Sequence, residues 1–184
     1  KPAVVIDASK GSVIIEKNVE IGSFSYLKGP LFIGKGTIIF PHSQIKESVL
    51  GPVCRVGGEV VGTIIQGWSN KAHDGYLGDA FLGEWINLGA GTNNSNLKNN
   101  YTSVKVTVNG KIIDTGSLFI GSFIGDHSKT AIGTQLNTGT SIGIGCNIVS
   151  KGFPPRFIQP FTWFMNGKHV STKIETFIKT GETV

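Results

Sequence analysis

Aliphatic side chains recur along this chain at a step of six. Counting every sixth residue from Ile15 meets Ile21, Leu27, Ile33, Ile39 and Ile45. A second series from Leu118 runs through Ile124, Thr130, Leu136, Ile142 and Ile148, with only the threonine out of pattern. Four places after each of its first five members stand Ser122, Ser128, Thr134, Thr140 and Cys146, all small. Between the two series, Leu50, Val56, Ile65, Lys71, Leu77, Leu82 and Leu88 keep the rhythm with some steps of five. A step of six fits neither the helical period of about 3.6 nor the strand period of about 2. It is the hexapeptide repeat of a parallel β-helix, in which each hexad is a short strand plus a corner and three hexads close a triangular coil. The pattern predicts an all-β chain whose aliphatics point inward and stack on their equivalents in the next coil. Ile33, Ile39, Ile124, Leu136, Ile142 and Ile148 should form the core, and glycine should take corners that need positive φ.

Two stretches break the rhythm. Residues 97–117 hold no hexads, but Val104-Lys105-Val106-Thr107-Val108, Asn109-Gly110 and Lys111-Ile112-Ile113 read as a hairpin. Asn-Gly is the favoured pair for a type I′ turn. An excursion that leaves a solenoid and returns in register reads as a functional loop projecting outward. The second break follows Lys151, where Gly152-Phe153-Pro154-Pro155-Arg156-Phe157 opens an aromatic, proline-rich segment running to Trp163. Proline removes ladder donors, so this segment is expected to end the coil and cover its exposed strand edge. The expected organisation is a repeat domain over 1–151, with the 97–117 insertion, and a capping tail over 152–184. A short helix is expected near residues 171–178.

Composition narrows the class further. The chain has 184 residues, 26 of them glycine, with 16% charged and 39% hydrophobic side chains and a net charge of +5. The charged share is well below the ordinary value of about 25%, which excludes a charged disordered segment, and no Gly-X-Y period suggests collagen. No apolar run approaches the roughly 20 residues of a membrane-spanning helix, and no signal-peptide core opens the chain. Neither a membrane nor a nucleic-acid partner is expected, because no cluster of lysine and arginine with interleaved aromatics appears. Cys54 and Cys146 form no CxxC pair, as befits buried, reduced thiols of a cytoplasmic protein. Met165 is the only methionine, so the chain reads as a domain cut from a longer polypeptide.

Few residues here can do chemistry. The histidines, His42, His73, His127 and His169, lie far apart in sequence, whereas a zinc hydratase on this fold needs three converging on one ion. No metal site is expected. There is no GxxxxGK[ST] loop, and Gly89-Ala90-Gly91 reads first as a tight corner. The dense polar stretch is residues 69–100. Within it Lys71 puts a cation where the repeat calls for an aliphatic, and His73 follows two places later. The coil is locally modified there, around either a reactive imidazole or a solvated surface histidine.

The run Lys71-Ala72-His73-Asp74-Gly75-Tyr76-Leu77-Gly78-Asp79-Ala80, followed by Asn87-Leu88-Gly89-Ala90-Gly91-Thr92 and Asn96, resembles the acetyltransferase half of bifunctional N-acetylglucosamine-1-phosphate uridyltransferases. Gly58-Glu59-Val60, Asn94-Ser95-Asn96-Leu97-Lys98-Asn99-Asn100-Tyr101, Gly125-Asp126-His127-Ser128-Lys129-Thr130 and Gly152-Phe153-Pro154-Pro155 resemble a subgroup of that family named for sugar nucleotidyl transfer. The resemblance runs from about residue 13 to 163. It implies a left-handed β-helix that forms a homotrimer with active sites between subunits, preceded by a nucleotidyltransferase domain. It also implies acetyl transfer from acetyl-coenzyme A to the amino group of an amino-sugar 1-phosphate, in nucleotide-sugar biosynthesis.

The family's general base falls on His73 and its substrate contacts on Tyr76, Asn87 and Asn96. Ala90 falls where the backbone approaches the acetyl group. A family lysine aligns with Val61, a tyrosine with Leu97 and an arginine with Lys46, so Lys46 and Lys71 are the candidates to bind the sugar phosphate. The rival to an enzyme is a scaffold that trimerises an attached nucleotidyltransferase: the departures at Val61 and Leu97 favour it, and the retained His73, Tyr76, Asn87 and Asn96 favour the enzyme.

Overall fold

The structure, a computed structural model, describes residues 1–183; Val184 lies outside the described residues. Strands of two to four residues alternate with tight corners and stack in parallel into three flat faces. The first face runs from Val5–Asp7 through Tyr26–Lys28, Gln44–Lys46 and Glu59–Val61 to Tyr76–Gly78. The second has eight strands, from Val13–Ile15 to Phe157–Ile158. The third begins at Glu20–Ile21 and carries parallel strands up to Thr162–Met165. Together they make a left-handed parallel β-helix of about nine turns.

The inward ladders account for the step of six. On the second face Ile15, Ile33, Leu50, Ile65, Leu82, Ile124, Ile142 and Ile158 stand directly above one another. On the first, Leu27, Ile45, Val60 and Leu77 do the same. Ile33, Ile39, Ile124, Leu136, Ile142 and Ile148 are all buried, as the repeat predicts. Ile15, at 37% exposure, has too little of a coil beneath it, and Leu118, at 44%, belongs to the returning limb of the insertion and not to a hexad. The small corner residues are buried too, and their hydroxyls knit the corners: Ser128 Oγ donates to the Gly143 carbonyl at 2.7 Å and accepts from the Cys146 N–H at 3.0 Å. Both cysteines are free thiols, and burial pushes each above its usual pKa.

The coil does not stop at residue 151. Phe157–Ile158 pairs with Ser141–Ile142, and Thr162–Met165 with Asn147–Val149, both in parallel. The prolines allow this because Pro160 sits at a corner and Pro154 and Pro155 fall where a last first-face strand would be; none has to donate to a ladder. A second Asn-Gly turn then reverses the chain: Asn166 and Gly167 both have positive φ, and Lys168–Ser171 returns antiparallel on Thr162–Met165. Residue 171 is therefore strand, and the terminal helix, α1, spans Ile174–Gly181. No helix among the described residues is long and apolar enough to cross a membrane.

The inserted hairpin forms as expected, Lys105–Val108 against Lys111–Asp114. It is not free along its whole length. Val104 and Val106 are buried, and a Cβ on Gly139 would lie 2.5 Å from the Lys105 carbonyl oxygen, so the hairpin root packs on the coil while its second strand is exposed.

The three faces differ outside as well. The outward ladder of the second face is Ile14, Phe32, Val49, Ile64, Phe81, Phe123, Ser141 and Phe157, apolar except for the serine. The outward ladders of the first and third faces are mostly polar, for example Gln44, Glu59 and Tyr76, and Arg55, Asn70 and Asn87. Replacing Ile142 with alanine should lower the unfolding free energy by about 2–5 kcal/mol, because coils clamped above and below cannot close the space. Chemical denaturation measures it, and a loss under about 0.5 kcal/mol would contradict a ladder core.

Candidate active site

Lys71 explains why the coil is modified at this level. It takes the inward slot above Val56 on the third face, and only 3% of it is exposed. Its Nζ donates to the Gly57 carbonyl at 2.7 Å and to the His73 carbonyl at 2.8 Å, tying two successive corners together. Burial outweighs the attraction of Asp74 and pulls its pKa down to about 8. Gly58, at φ +72°, leaves the room: a Cβ there would stand 2.9 Å from Nζ. The expectation that Lys71 meets substrate is corrected here, because its ammonium points into the prism and serves the backbone under His73.

One step along the chain the first-face ladder changes character. The next strand, Asn93–Asn94, meets Tyr76–Gly78 through side chains: Asn93 Oδ1 accepts from the Tyr76 N–H and Asn94 Oδ1 from the Gly78 N–H, both at 2.7 Å, and Asn94 Nδ2 donates to the Gly78 carbonyl at 2.8 Å. Asn94 holds an inward slot, in register with Leu136. Outside, the Tyr76 ring lies across Gly78, where a Cβ would stand 2.2 Å from the phenol oxygen. That oxygen accepts from Asn96 Nδ2 at 3.0 Å, and the same nitrogen donates to Asp79 Oδ2 at 2.6 Å. Desolvation, then Asp79 and Glu59, raise the Tyr76 pKa, so it stays a neutral phenol. Glu59, its register neighbour, accepts from Lys46 Nζ at 3.0 Å.

Tyr76 and Asn96 are therefore in direct contact, and Lys46 stands on the same face with its ammonium engaged by Glu59. His73 is exposed at the corner between the third and first faces. Ala90 occupies that corner one coil on, where the Gly91 N–H donates to the Asp74 carbonyl at 3.0 Å. His73 and Ala90 thus share one ridge. Asn87 does not join them: it faces outward on the third face, where its Oδ1 accepts from Asn70 Nδ2 at 2.6 Å. Sequence reasoning missed Glu59, Asp79, Asn93 and Asn94 as site residues. A six-step count from Leu88 reaches Asn94, an amide in an aliphatic slot, and was the available signal. Among the described residues no three His, Cys, Asp or Glu side chains stand close enough to hold a metal ion.

Comparison with known proteins follows the same lines. A bifunctional sugar-1-phosphate nucleotidylyltransferase/acetyltransferase of Sulfurisphaera tokodaii is 40% identical over 137 residues, which are 73% of this chain and 34% of that protein. The bifunctional protein GlmU of Wigglesworthia glossinidia brevipalpis is 31% identical over 162 residues, 76% of this chain and 32% of its own length. This chain belongs to their hexapeptide-repeat acetyltransferase family. It spans about a third of the length of these curated relatives. No family model matches the chain. Among solved structures, the BC4754 gene product of Bacillus cereus, whose acetyltransferase activity is itself an assignment, superposes with a TM-score of 0.55 at 11% identity. The match covers all of this chain and 91% of that one, and it shows the shared fold.

The buried ammonium has a measurable signature. Its folded pKa of about 8 lies below the 10.5 of a free lysine, so between these values the unfolded chain holds more protons than the folded one. This group's contribution to stability should therefore rise with pH across that window. Urea denaturation from pH 8 to 10.5 should show the parent gaining stability relative to Lys71→Met, the opposing trend of the two buried thiols being common to both; equal slopes would place the ammonium in solvent.

Proposed function

We propose that the chain is an acyltransferase domain that moves an acetyl group from acetyl-coenzyme A to the amine of an amino-sugar 1-phosphate. The observation carrying this is the ridge of His73 and Ala90 at one end of the first face, whose other end carries the linked Tyr76–Asn96–Asp79 cluster. It sets an exposed imidazole and ordered polar groups on the same coils. A free amine nitrogen attacks the thioester carbonyl while His73 takes one of its protons; the tetrahedral intermediate collapses to the amide, and the coenzyme A thiolate leaves and is protonated. The Ala90 N–H suits the developing oxyanion, the neighbouring Gly89 and Gly91 N–H groups being bonded within the coil. Tyr76 and Asn96, neutral and mutually hydrogen-bonded, suit sugar hydroxyls.

The active unit in this reading is a homotrimer. With the apolar second face turned to the threefold axis, the first face of one protomer and the third face of the next wall each groove. Asn87 then reaches the acceptor from the neighbouring subunit, which accounts for its separation from Tyr76 within one chain. The domain is read as part of a longer polypeptide carrying a nucleotidyltransferase, with the coil as its C-terminal unit. A scaffold role without catalysis draws support from Lys46 and Lys71, whose ammonium groups are both committed within the chain.

Two measurements test this. His73→Ala should leave the melting curve unchanged and reduce acetyl transfer about 10²–10⁴-fold, the usual worth of a positioned base. Near-parental turnover by a folded variant would move the scaffold reading ahead. Sedimentation should give a trimer at micromolar concentration, and Phe81→Glu, on the apolar ladder, should shift it toward monomer; a monomeric parent sinks the assembly.

A further inference from the structure

Asp79 stands at a corner that the adjacent rungs give to glycine. It lies two residues before Phe81, as Gly62 lies two before Ile64 on the rung below and Gly121 two before Phe123 on the rung above. Its φ is +47° and that of Gly62 is +57°, a left-handed backbone that glycine adopts freely and other residues adopt at a cost. The corner itself has no use for the acid. Its N–H donates to the Val61 carbonyl at 2.9 Å and its carbonyl accepts from the Gly121 N–H at 2.7 Å, bonds a glycine would make equally well. Gly62 nevertheless leaves the carboxylate its room, because a Cβ there would lie 2.7 Å from Asp79 Oδ1. The strain is therefore kept for what the carboxylate does, and what it does is accept from Asn96 Nδ2 at 2.6 Å.

Asn96 lies where the insertion leaves the coil. Its carbonyl accepts from the Ile120 N–H at 2.9 Å, so the returning limb that binds the Asp79 carbonyl through Gly121 ties down the Asn96 main chain as well. The main chain leaves one thing open, the direction of the amide, whose two ends differ in chemistry. A carboxylate has no proton to offer, so the end facing Asp79 is the nitrogen. Both protons of that nitrogen are then placed, one on Asp79 Oδ2 and one on the Tyr76 phenol oxygen at 3.0 Å. Among the described residues nothing donates to Asn96 Oδ1, and the Tyr76 hydroxyl, already an acceptor, donates to nothing. Both side chains are part-exposed.

We infer that Asp79 is a positioning residue: it fixes the Asn96 amide with its oxygen outward, so that this end of the first face offers a ligand hydroxyl one acceptor, Asn96 Oδ1, and one donor, the Tyr76 O–H. A single hydroxyl can donate to the first and accept from the second at once. Without the carboxylate the amide is free to flip, and in its flipped setting it presents N–H groups where the hydroxyl needs an acceptor. The hold on the amide is a property of the fold; assigning the hydroxyl to an acceptor sugar rests on the acyl-transfer reading. The effect falls on acceptor binding and not on proton removal, because His73 stands at the opposite end of the face.

The test compares the full chain with its Asp79→Asn and Asp79→Gly variants. Glycine adopts the corner's φ freely and asparagine tolerates it, so the three melting temperatures should agree within about 3 °C. In protein carrying isotope-labelled asparagine, nuclear magnetic resonance follows the Asn96 side-chain amide, its signal identified by its absence in Asn96→Ala. Its protons should exchange with water slowly in the parent and about ten-fold faster or more in Asp79→Gly, which removes a charge-assisted bond. With glucosamine 1-phosphate and acetyl-coenzyme A, the acceptor KM should rise about ten-fold in Asp79→Gly. It should rise less in Asp79→Asn, whose amide oxygen can still receive the Asn96 N–H through a weaker neutral bond. The kcat and the KM for acetyl-coenzyme A should stay within about three-fold of the parent, the split expected when only ground-state binding is lost. Unchanged amide exchange in Asp79→Gly, or a parental acceptor KM in the folded variant, overturns the assignment. If exchange quickens as expected but the parent itself transfers no acetyl group, the acyl-transfer reading fails and the hold of Asp79 on Asn96 stands.

Discussion

Everything in this molecule hangs on one inward-facing side chain per strand. A strand of two or three residues buries nothing by itself and cannot persist alone. It becomes stable because its aliphatic residue lands on the equivalent residue of the coil below, and its backbone N–H groups find the carbonyls of that coil. Each coil is thus the template for the next, and stability is a sum of neighbour contacts, as in other solenoids. Such a stack tolerates no drift in register, because one slipped residue would turn the ladder side chain outward. The step of six is the written form of that requirement.

The same constraint makes each departure from the ladder conspicuous and confines its effects. Lys71 and Asn94 both replace aliphatics inside the prism, and both act on backbone. The lysine clamps the corner carrying His73, and the asparagine bridges a strand pair whose main chains are not directly bonded. A buried polar group is acceptable only when its partners are supplied, and here each is supplied by neighbouring carbonyl or N–H groups. The consequence lies outside the prism, where Tyr76, Asn96 and Asp79 are held by a frame that cannot easily relax.

The three faces divide the remaining work by polarity. The apolar second face suits burial against other copies, while the first and third faces keep the amides and charges. The hairpin and α1 leave the coil for the same physical reason: neither has a ladder slot to fill, so each docks through a glycine notch, Gly139 for the hairpin and Gly145 for the helix. The notch at Gly145 lets Phe177 bring α1 over the amide ladder, turning a flat face into a cavity.

Periodicity alone determined the fold, because a six-residue step has no other structural reading. It also located the modified coil at Lys71 and the excursion at Asn109-Gly110. The equivalent turn at Asn166-Gly167 is equally written in the sequence, but the prolines and aromatics before it hide the rhythm of the last coil. What only the tertiary structure decided was direction and partnership. Residue spacing cannot say that Lys71 points inward, that Glu59 occupies Lys46, or that Asp79 holds the Asn96 amide. Those facts depend on which residues of successive coils share a rung, and insertions and five-residue steps shift that register by amounts no local pattern records.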